Sequence, residues 1–406
     1  MLQKPELIMP AGNLEKLEIA YRFGADACYI GMPDFSLRYR ENQITQNDLK
    51  KAIKIANNLH KKLYVTINTY PHNKSIPYLI QHLKFLSKLE PDALIFSDPG
   101  VYNLTKKYYP EAELHLSVQA TATNYETVKF WQKLDVKRII LARELSLAEI
   151  KKIHQIVPKI ELEVFVHGAI CMAYSGRCLL SKYLAGRDAN QGDCAHTCRW
   201  KYKVLEESSR PNQFFPIQSD KHGSYILSSQ DLSMIEHLND LLKSGVKFFK
   251  VEGRAKNTNY VATIARAYRM AIDNMMTKKL FNKKLLAEIK SVSNRSFFTG
   301  FYYQKPTIPG NEISSTRIKG TYEFVGVVKS FDEKSYLVHI ELKNQIKIGD
   351  NVEILTPNKI YKEEINELFD YNFKPIVSYN AGVKKEIILR TKNIYHKYDI
   401  LRRKIS

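Results

Sequence analysis

Leu7-Ile8-Met9-Pro10-Ala11-Gly12-Asn13 is the stretch on which the fold turns. Its apolar run reads as a strand that passes directly into an amphipathic segment, Asn13–Phe23. A dinucleotide-binding sheet would place G-x-G-x-x-G at this first junction. Here Pro10-Ala11-Gly12-Asn13 opens the helix instead, so a nicotinamide-binding sheet is not expected. Working outward, the same unit recurs. Short β-branched or apolar runs stand at Leu7–Pro10, Ala27–Gly31, Leu63–Asn68, Ala93–Ser97, Leu114–Val118, Arg138–Ala142, Leu162–Val166 and Phe248–Glu252. Between them lie amphipathic segments such as Gln46–His60, Ile76–Leu89, Tyr125–Lys133 and Leu147–Val157. Eight strands with intervening helices predict an α/β fold, a (β/α)8 barrel of the TIM type. Cys28, inside Ala27-Cys28-Tyr29-Ile30-Gly31, reads as a small buried core residue.

The alternation breaks after the seventh run. Residues 169–230 form a long excursion with four cysteines, then an expected hairpin (Tyr202–Glu206, Phe214–Gln218), and a helix is expected over Asp231–Lys243. An insertion leaving the C-terminal end of a barrel strand lies on the face where barrel enzymes place their chemistry. A helix over Asn259–Asn274 follows the eighth strand. Beyond a Pro/Gly-containing link, the pattern changes to short strands at Glu323–Lys329, Ser335–Glu341, Asn351–Leu355 and Val383–Leu389, with Ile348-Gly349-Asp350 as a turn. The organisation predicted is a catalytic barrel over 1–305 that includes the 169–230 insertion, a linker over 306–320, and a small C-terminal β-barrel over 321–406.

A chain of 406 residues, 44% hydrophobic, buries a large core without disulfides. The N-terminal run lacks the pattern of a signal peptide, and no stretch approaches the roughly 18 apolar residues of a membrane span. A cytoplasmic protein with no membrane partner is expected, where clustered cysteines more often hold metal than form disulfides. The net charge of +20 points to a polyanion. An A/T-rich codon bias toward Lys would also produce it. From Thr321 onward, however, there are 15 Lys and Arg against 12 Asp and Glu, so the excess lies in the first 320 residues with the cysteines, which favours nucleic acid.

Cys171, Cys178, Cys194 and Cys198 stand in a C-x6-C-x15-C-x3-C array. Zinc sites usually take their ligands as two close pairs, and only Cys194 and Cys198 are close. Four soft ligands on an irregular loop also suit a 4Fe–4S cluster. Spacing leaves both open, with iron–sulfur ahead and zinc as runner-up. Arg177, Lys182, Arg187, Arg199 and Lys201 would offset the charge of a thiolate-ligated centre or touch a phosphate backbone.

Other candidates lie at strand ends. His167 follows the seventh strand as an acid–base group or a structural hydrogen-bonder; Glu163, four residues earlier, is a catalytic or a paired structural carboxylate. Arg143 closes the sixth strand. Arg254 and Lys256 precede a helix, a ready anion site, with an ion pair to Glu252 or Glu144 as the alternative for Arg254. Asn68, Asp98, Ser117 and Gln119 are placed to line a polar pocket. Tyr174, Trp200 and Tyr202, interleaved with Arg177 and Arg199, suit stacking on an unpaired base or shielding of a cluster. Arg402-Arg403-Lys404 reads as a solvated tail. Neither H-E-x-x-H nor G-x-S-x-G occurs, which weighs against a peptidase.

The run Glu163-Val-Phe-Val-His167-Gly168-Ala-Ile-Cys171-Met-Ala-Tyr-Ser175-Gly176-Arg177-Cys178 resembles the signature of the peptidase U-32, or collagenase-like, family. So do Arg187-Asp188-Ala-Asn190-Gln191-Gly192-Asp-Cys194-Ala-His-Thr-Cys198-Arg199-Trp200, Pro10-Ala-Gly12-Asn13, Ala142-Arg143-Glu144 and Val251-Glu252-Gly253-Arg254. The resemblance spans nearly the whole chain. It implies a tRNA-modifying enzyme that hydroxylates the wobble uridine to 5-hydroxyuridine, dependent on prephenate, with the four cysteines as ligands of a 4Fe–4S cluster. The implied partners are a tRNA anticodon loop, prephenate and an electron donor. Arg254 would grip a prephenate carboxylate in a bidentate manner. Other branches imply alternatives: hydroxylation of a 23S rRNA cytidine or of a quinone precursor, or collagenase-like proteolysis.

Overall fold

The computed structural model describes residues 3–37, 44–171, 173–200, 218–220, 223–225, 230–293, 295–303, 320–382 and 386–405. Apart from Gln218 and Gly320, the expected hairpin (Tyr202–Glu206, Phe214–Gln218) and the 306–320 linker lie outside the described residues.

Strands β1 (Glu6–Pro10), β2 (Ala27–Gly31), β3 (Lys62–Ile67), β4 (Ala93–Phe96), β5 (Leu114–Leu116), β6 (Arg138–Ile140) and β7 (Glu161–Ala169) pair in chain order, all parallel. The eighth strand, Phe248–Val251, pairs in parallel with both β7 and β1, with Phe248 opposite Glu163 on one side and Glu6 on the other. The barrel is therefore closed. Helices α1 (Leu14–Arg22), α2 (Gln46–Asn58), α3 (Ile76–Ser87), α4 (Pro99–Tyr108), α5 (Tyr125–Lys133) and α6 (Leu147–Ile156) alternate with the strands. Most of the turns into these helices carry a side-chain cap that satisfies an otherwise orphaned backbone N–H. Asn13, Asp98 and Asn124 cap α1, α4 and α5, while Thr45 with Asp48 and Ser146 with Glu149 form capping boxes.

After the barrel body, β7 runs on to Ala169, and Asp231–Ser233 pairs antiparallel with that extension. The helix expected from Asp231 thus begins later, at Leu238–Lys243. Its first residues are drawn into strand pairing with His167, Gly168 and Ala169, and Phe297–Phe298 adds a further strand. The long helix Thr258–Met276 follows the eighth strand and packs on α1 and β1.

The C-terminal unit is an antiparallel seven-stranded sheet in the spatial order Ile360–Glu364, Asn351–Leu355, Ile400–Lys404, Tyr322–Asp332, Leu337–Leu342, Glu386–Arg390, Leu368–Asp370. It has its own apolar core around Val325, Ile340, Leu389 and Leu401. Arg402-Arg403-Lys404 is not a solvated tail: it belongs to an interior strand, flanked by Tyr322–Asp332 and Asn351–Leu355. Arg402 is buried and held by Glu353 at 2.9 Å. The sheet docks on the barrel through Arg22–Asp399 (2.5 Å), the Tyr398 hydroxyl donating to Glu18 (2.8 Å), and Arg266 Nε donating to the Thr356 carbonyl (2.9 Å). Among the described residues no helix is long and apolar enough to cross a membrane.

Candidate active site

The barrel interior is polar, and it is layered. Near the N-terminal ends of the strands, Arg138 reaches Glu6 (3.3 Å), Glu161 (2.9 Å) and Glu163 (3.4 Å). The Tyr64 hydroxyl donates to Glu6 at 2.6 Å. Glu163 is fully buried, and its other oxygen accepts from Lys250 Nζ at 2.7 Å. Burial would raise the Glu163 carboxyl, but Lys250 and Arg138 outweigh it and hold the group below the usual carboxylate range. Glu163 is thus a paired carboxylate beneath the cavity rather than in its lining.

Above this layer, toward the C-terminal ends of the strands, lies a cavity of about 410 Å³. Its walls carry Tyr29, Phe165, Lys250, Arg143, Glu252 and Arg254, and the cysteine loop covers it. Asn68, Ser117 and Gln119 line one side as a linked set: Asn68 Nδ2 donates to Gln119 (3.2 Å) and Ser117 (3.4 Å), and the Ser117 hydroxyl donates to Gln119. Asp98 is occupied as the cap of α4, accepting from Val101 N at 3.1 Å. Arg254 is buried. Its Nη1 donates to Ser36 (2.6 Å) and Thr66 (3.3 Å) and its Nη2 to the Leu37 carbonyl (2.6 Å), so much of its donor capacity holds the barrel rim together. Arg143 donates Nη1 to the Ala169 carbonyl at 2.6 Å, lies 3.8 Å from the Phe165 ring centre, and keeps Nη2 4.0 Å from Glu252.

Two candidates lie elsewhere. His167 is buried outside the cavity, with Nδ1 3.3 Å from the Tyr268 hydroxyl and its ring against Tyr260, Tyr268 and Phe297. The ammonium of Lys256 lies 5.3 Å from the Tyr260 ring centre, also outside the lining. The side chain of Arg199 falls outside the described residues.

None of the five cysteines is in a disulfide, and Cys171, Cys178, Cys194 and Cys198 all line this cavity. The loop that carries them is tied down at several points. Ser175 adopts φ 46°, and its N–H and Oγ donate to the two Glu144 oxygens at 2.6 and 2.7 Å. Asn190 exchanges two hydrogen bonds with the Cys178 backbone (3.2 and 3.0 Å), and its carbonyl accepts from Tyr70 N (3.2 Å). Arg177 Nε donates to the Tyr70 hydroxyl and the Gln119 carbonyl, and Arg187 Nη2 to the Cys194 carbonyl at 3.1 Å. Tyr174, Leu179, Tyr183 and Trp200 are exposed on this loop. Four soft thiols on one cavity suit a thiolate-bound group in kind. Among the described residues no three Cys, His, Asp or Glu side chains are yet drawn together tightly enough to enclose an ion.

Sequence reasoning missed Lys250 and the clasp of Glu144 on Ser175. A lysine inside the apolar run Phe248-Phe249-Lys250-Val251 was the available signal for the first; the second rests on a long-range contact with no local signature.

A closed parallel barrel with a cysteine-rich loop over its C-terminal face, followed by a β domain, defines the class. Residues 12–312 match peptidase family U32 and residues 320–402 match the peptidase family U32 C-terminal domain; the chain belongs to this family. The chain is 40% identical to the tRNA hydroxylation protein P of Escherichia coli (strain K12), over 87% of this chain and 86% of that protein. It is 35% identical to the tRNA hydroxylation protein P1 of Bacillus subtilis (strain 168), over 90% and 89%. It is also 28% identical to a protein named collagenase from Porphyromonas gingivalis (strain ATCC BAA-308 / W83), over 95% of each.

Proposed function

We propose that this chain is a tRNA-modifying enzyme that hydroxylates a wobble uridine to 5-hydroxyuridine in the cytoplasm, with prephenate as co-substrate. The observation that carries this reading is its likeness to two bacterial proteins named for tRNA hydroxylation, along almost nine-tenths of their lengths. The positive charge of the chain agrees with an RNA partner. The exposed Tyr174, Tyr183 and Trp200 on the loop over the cavity agree with stacking on unpaired bases. An anticodon loop presents its bases already unpaired, so extruding one toward a barrel-top cavity costs little.

Cys171, Cys178, Cys194 and Cys198 would hold a 4Fe–4S cluster, whose chemistry when bound is electron transfer, fed by an external electron donor, or binding of the oxygen donor. Around it, Arg143 supplies positive charge for an anionic co-substrate, and Asn68 and Gln119 supply amide groups for a base or hydroxyl. The peptidase reading needs an activated nucleophile. Ser117 and Ser175 donate their hydroxyls to Gln119 and Glu144 rather than to an imidazole.

The test is nucleoside mass spectrometry of tRNA from cells with and without the gene, in a strain with no second copy. Loss of 5-hydroxyuridine and its derivatives on deletion is expected, and unchanged levels overturn the reading. Degradation of denatured collagen that survives removal of all four cysteines would favour the peptidase.

A further inference from the structure

We infer that Lys250 is an imine-forming lysine and that the cavity takes a small oxo acid, whose carbonyl carbon Lys250 attacks. Lys250 lies on the eighth strand with its side chain inside the barrel, buried to 3% exposure, in the wall of the cavity. Its Nζ is 2.7 Å from Glu163 Oε1, 4.3 Å from the centre of the Tyr29 ring and 5.9 Å from that of Phe165. Neutralising Glu163 does not by itself require a lysine here, because Arg138 already stands 3.4 Å from the other carboxylate oxygen. Placing an ammonium in so enclosed a position favours the neutral amine, and the neutral amine is the nucleophile. Burial, together with Arg138 and Arg254, draws Lys250 below the usual lysine range despite the opposing pull of Glu163.

The second half of the ligand follows from Arg143. Its guanidinium packs on the same Phe165 ring as Lys250, and its Nη2 comes no nearer than 4.0 Å to Glu252, leaving a cationic donor facing the cavity. A ligand with a carboxylate beside a carbonyl group spans from Arg143 to Lys250, with Tyr29 and Phe165 as its apolar walls.

The step balances without oxidant or reductant. The Nζ lone pair forms a C–N bond to the carbonyl carbon as the C=O π bond breaks, and one nitrogen proton passes through water to the oxygen to give a neutral carbinolamine. A proton taken up from solvent by the hydroxyl lets the C–O bond break, water leaves, and a protonated imine remains. Glu163, 2.7 Å from Nζ beneath the cavity, stays ionised and faces the positive charge that develops on the nitrogen. The inference deepens the reading above, since prephenate carries an oxo group beside a carboxylate, but its test uses no RNA.

The experiment incubates the purified full chain with pyruvate or phenylpyruvate and sodium cyanoborohydride, followed by intact-mass and peptide mapping. One reduced adduct per chain at Lys250 is expected. Lys250→Arg, which keeps the charge opposite Glu163, and Lys250→Met should each lose at least tenfold of that labelling, with circular dichroism confirming the fold. No adduct, equal labelling in Lys250→Arg, or label spread over surface lysines would overturn the inference. A trapped adduct with tRNA hydroxylation absent leaves the imine standing alone; hydroxylation without a trapped adduct removes only the imine.

Discussion

At the eighth strand Lys250 pairs with Phe165 and Val251 with His167, so the register skips Val166. Residues paired across neighbouring strands share a face of the sheet. Phe165 therefore points into the cavity with Lys250, while His167 joins Val251 on the outside, against Tyr260 and Tyr268 of the long helix Thr258–Met276. Simple alternation from Glu163 would have pointed His167 inward, and a bulge is not visible in a sequence. Burial, with a smaller effect from Lys256, pushes the His167 imidazole down to about 3. His82 is likewise pushed down by burial to about 4. In the unfolded chain each titrates near ~6.5. Below that pH the unfolded state takes up a proton that the folded state refuses. Stability is therefore full above pH ~6.5 and falls by ~1.4 kcal/mol per pH unit for each such histidine as the pH drops toward the folded values. Urea denaturation of His167→Gln between pH 6 and 4 should show a slope shallower than the parent by about that amount. An unchanged slope would contradict the burial of a neutral imidazole.

The elements of the barrel were largely legible, because most apolar runs long enough for a strand are followed by a helix whose cap residue is visible: Asn13, Thr45, Asp98, Asn124, Ser146. The segment at Asp231 was not, since Asp-Leu-Ser reads equally as a helix start and is decided by pairing with Gly168 and Ala169, more than sixty residues away. That pairing is close. Gly168 has φ +105°, and a Cβ there would lie 2.5 Å from the Glu252 carbonyl oxygen. The cysteine loop depends on a similarly remote contact, the two charge-assisted bonds from Ser175 to Glu144. Hydrogen bonds to a charged group are worth ~1.5–3 kcal/mol. Glu144→Ala should therefore accelerate hydrogen exchange over residues 173–179 by roughly tenfold to a hundredfold. The barrel strands and the main thermal transition should change little. Unchanged exchange in the loop would show that the clasp does not hold it.

On the scale of the whole molecule, a barrel with charged interior layers supports a cavity, a cysteine loop covers that cavity, and the β domain packs on α1 and the helix Thr258–Met276 through Arg22, Glu18 and Arg266. The convergence of the four cysteines on the cavity was legible because they fall within 28 residues leaving the C-terminal end of a barrel strand. The cavity walls were only partly legible: Arg143, Asn68 and Gln119 stand at strand ends, whereas Lys250 emerges only when the eighth strand closes between β7 and β1. Under the function proposed above, the thiol-lined cavity is where tRNA is hydroxylated. The most direct measurement is the fraction of 5-hydroxyuridine at the wobble position in tRNA from a deletion strain complemented with the parent chain or with Cys194→Ala, at matched protein levels. The parent should restore the modification and Cys194→Ala should leave it at least tenfold lower. Full restoration by Cys194→Ala would contradict the claim.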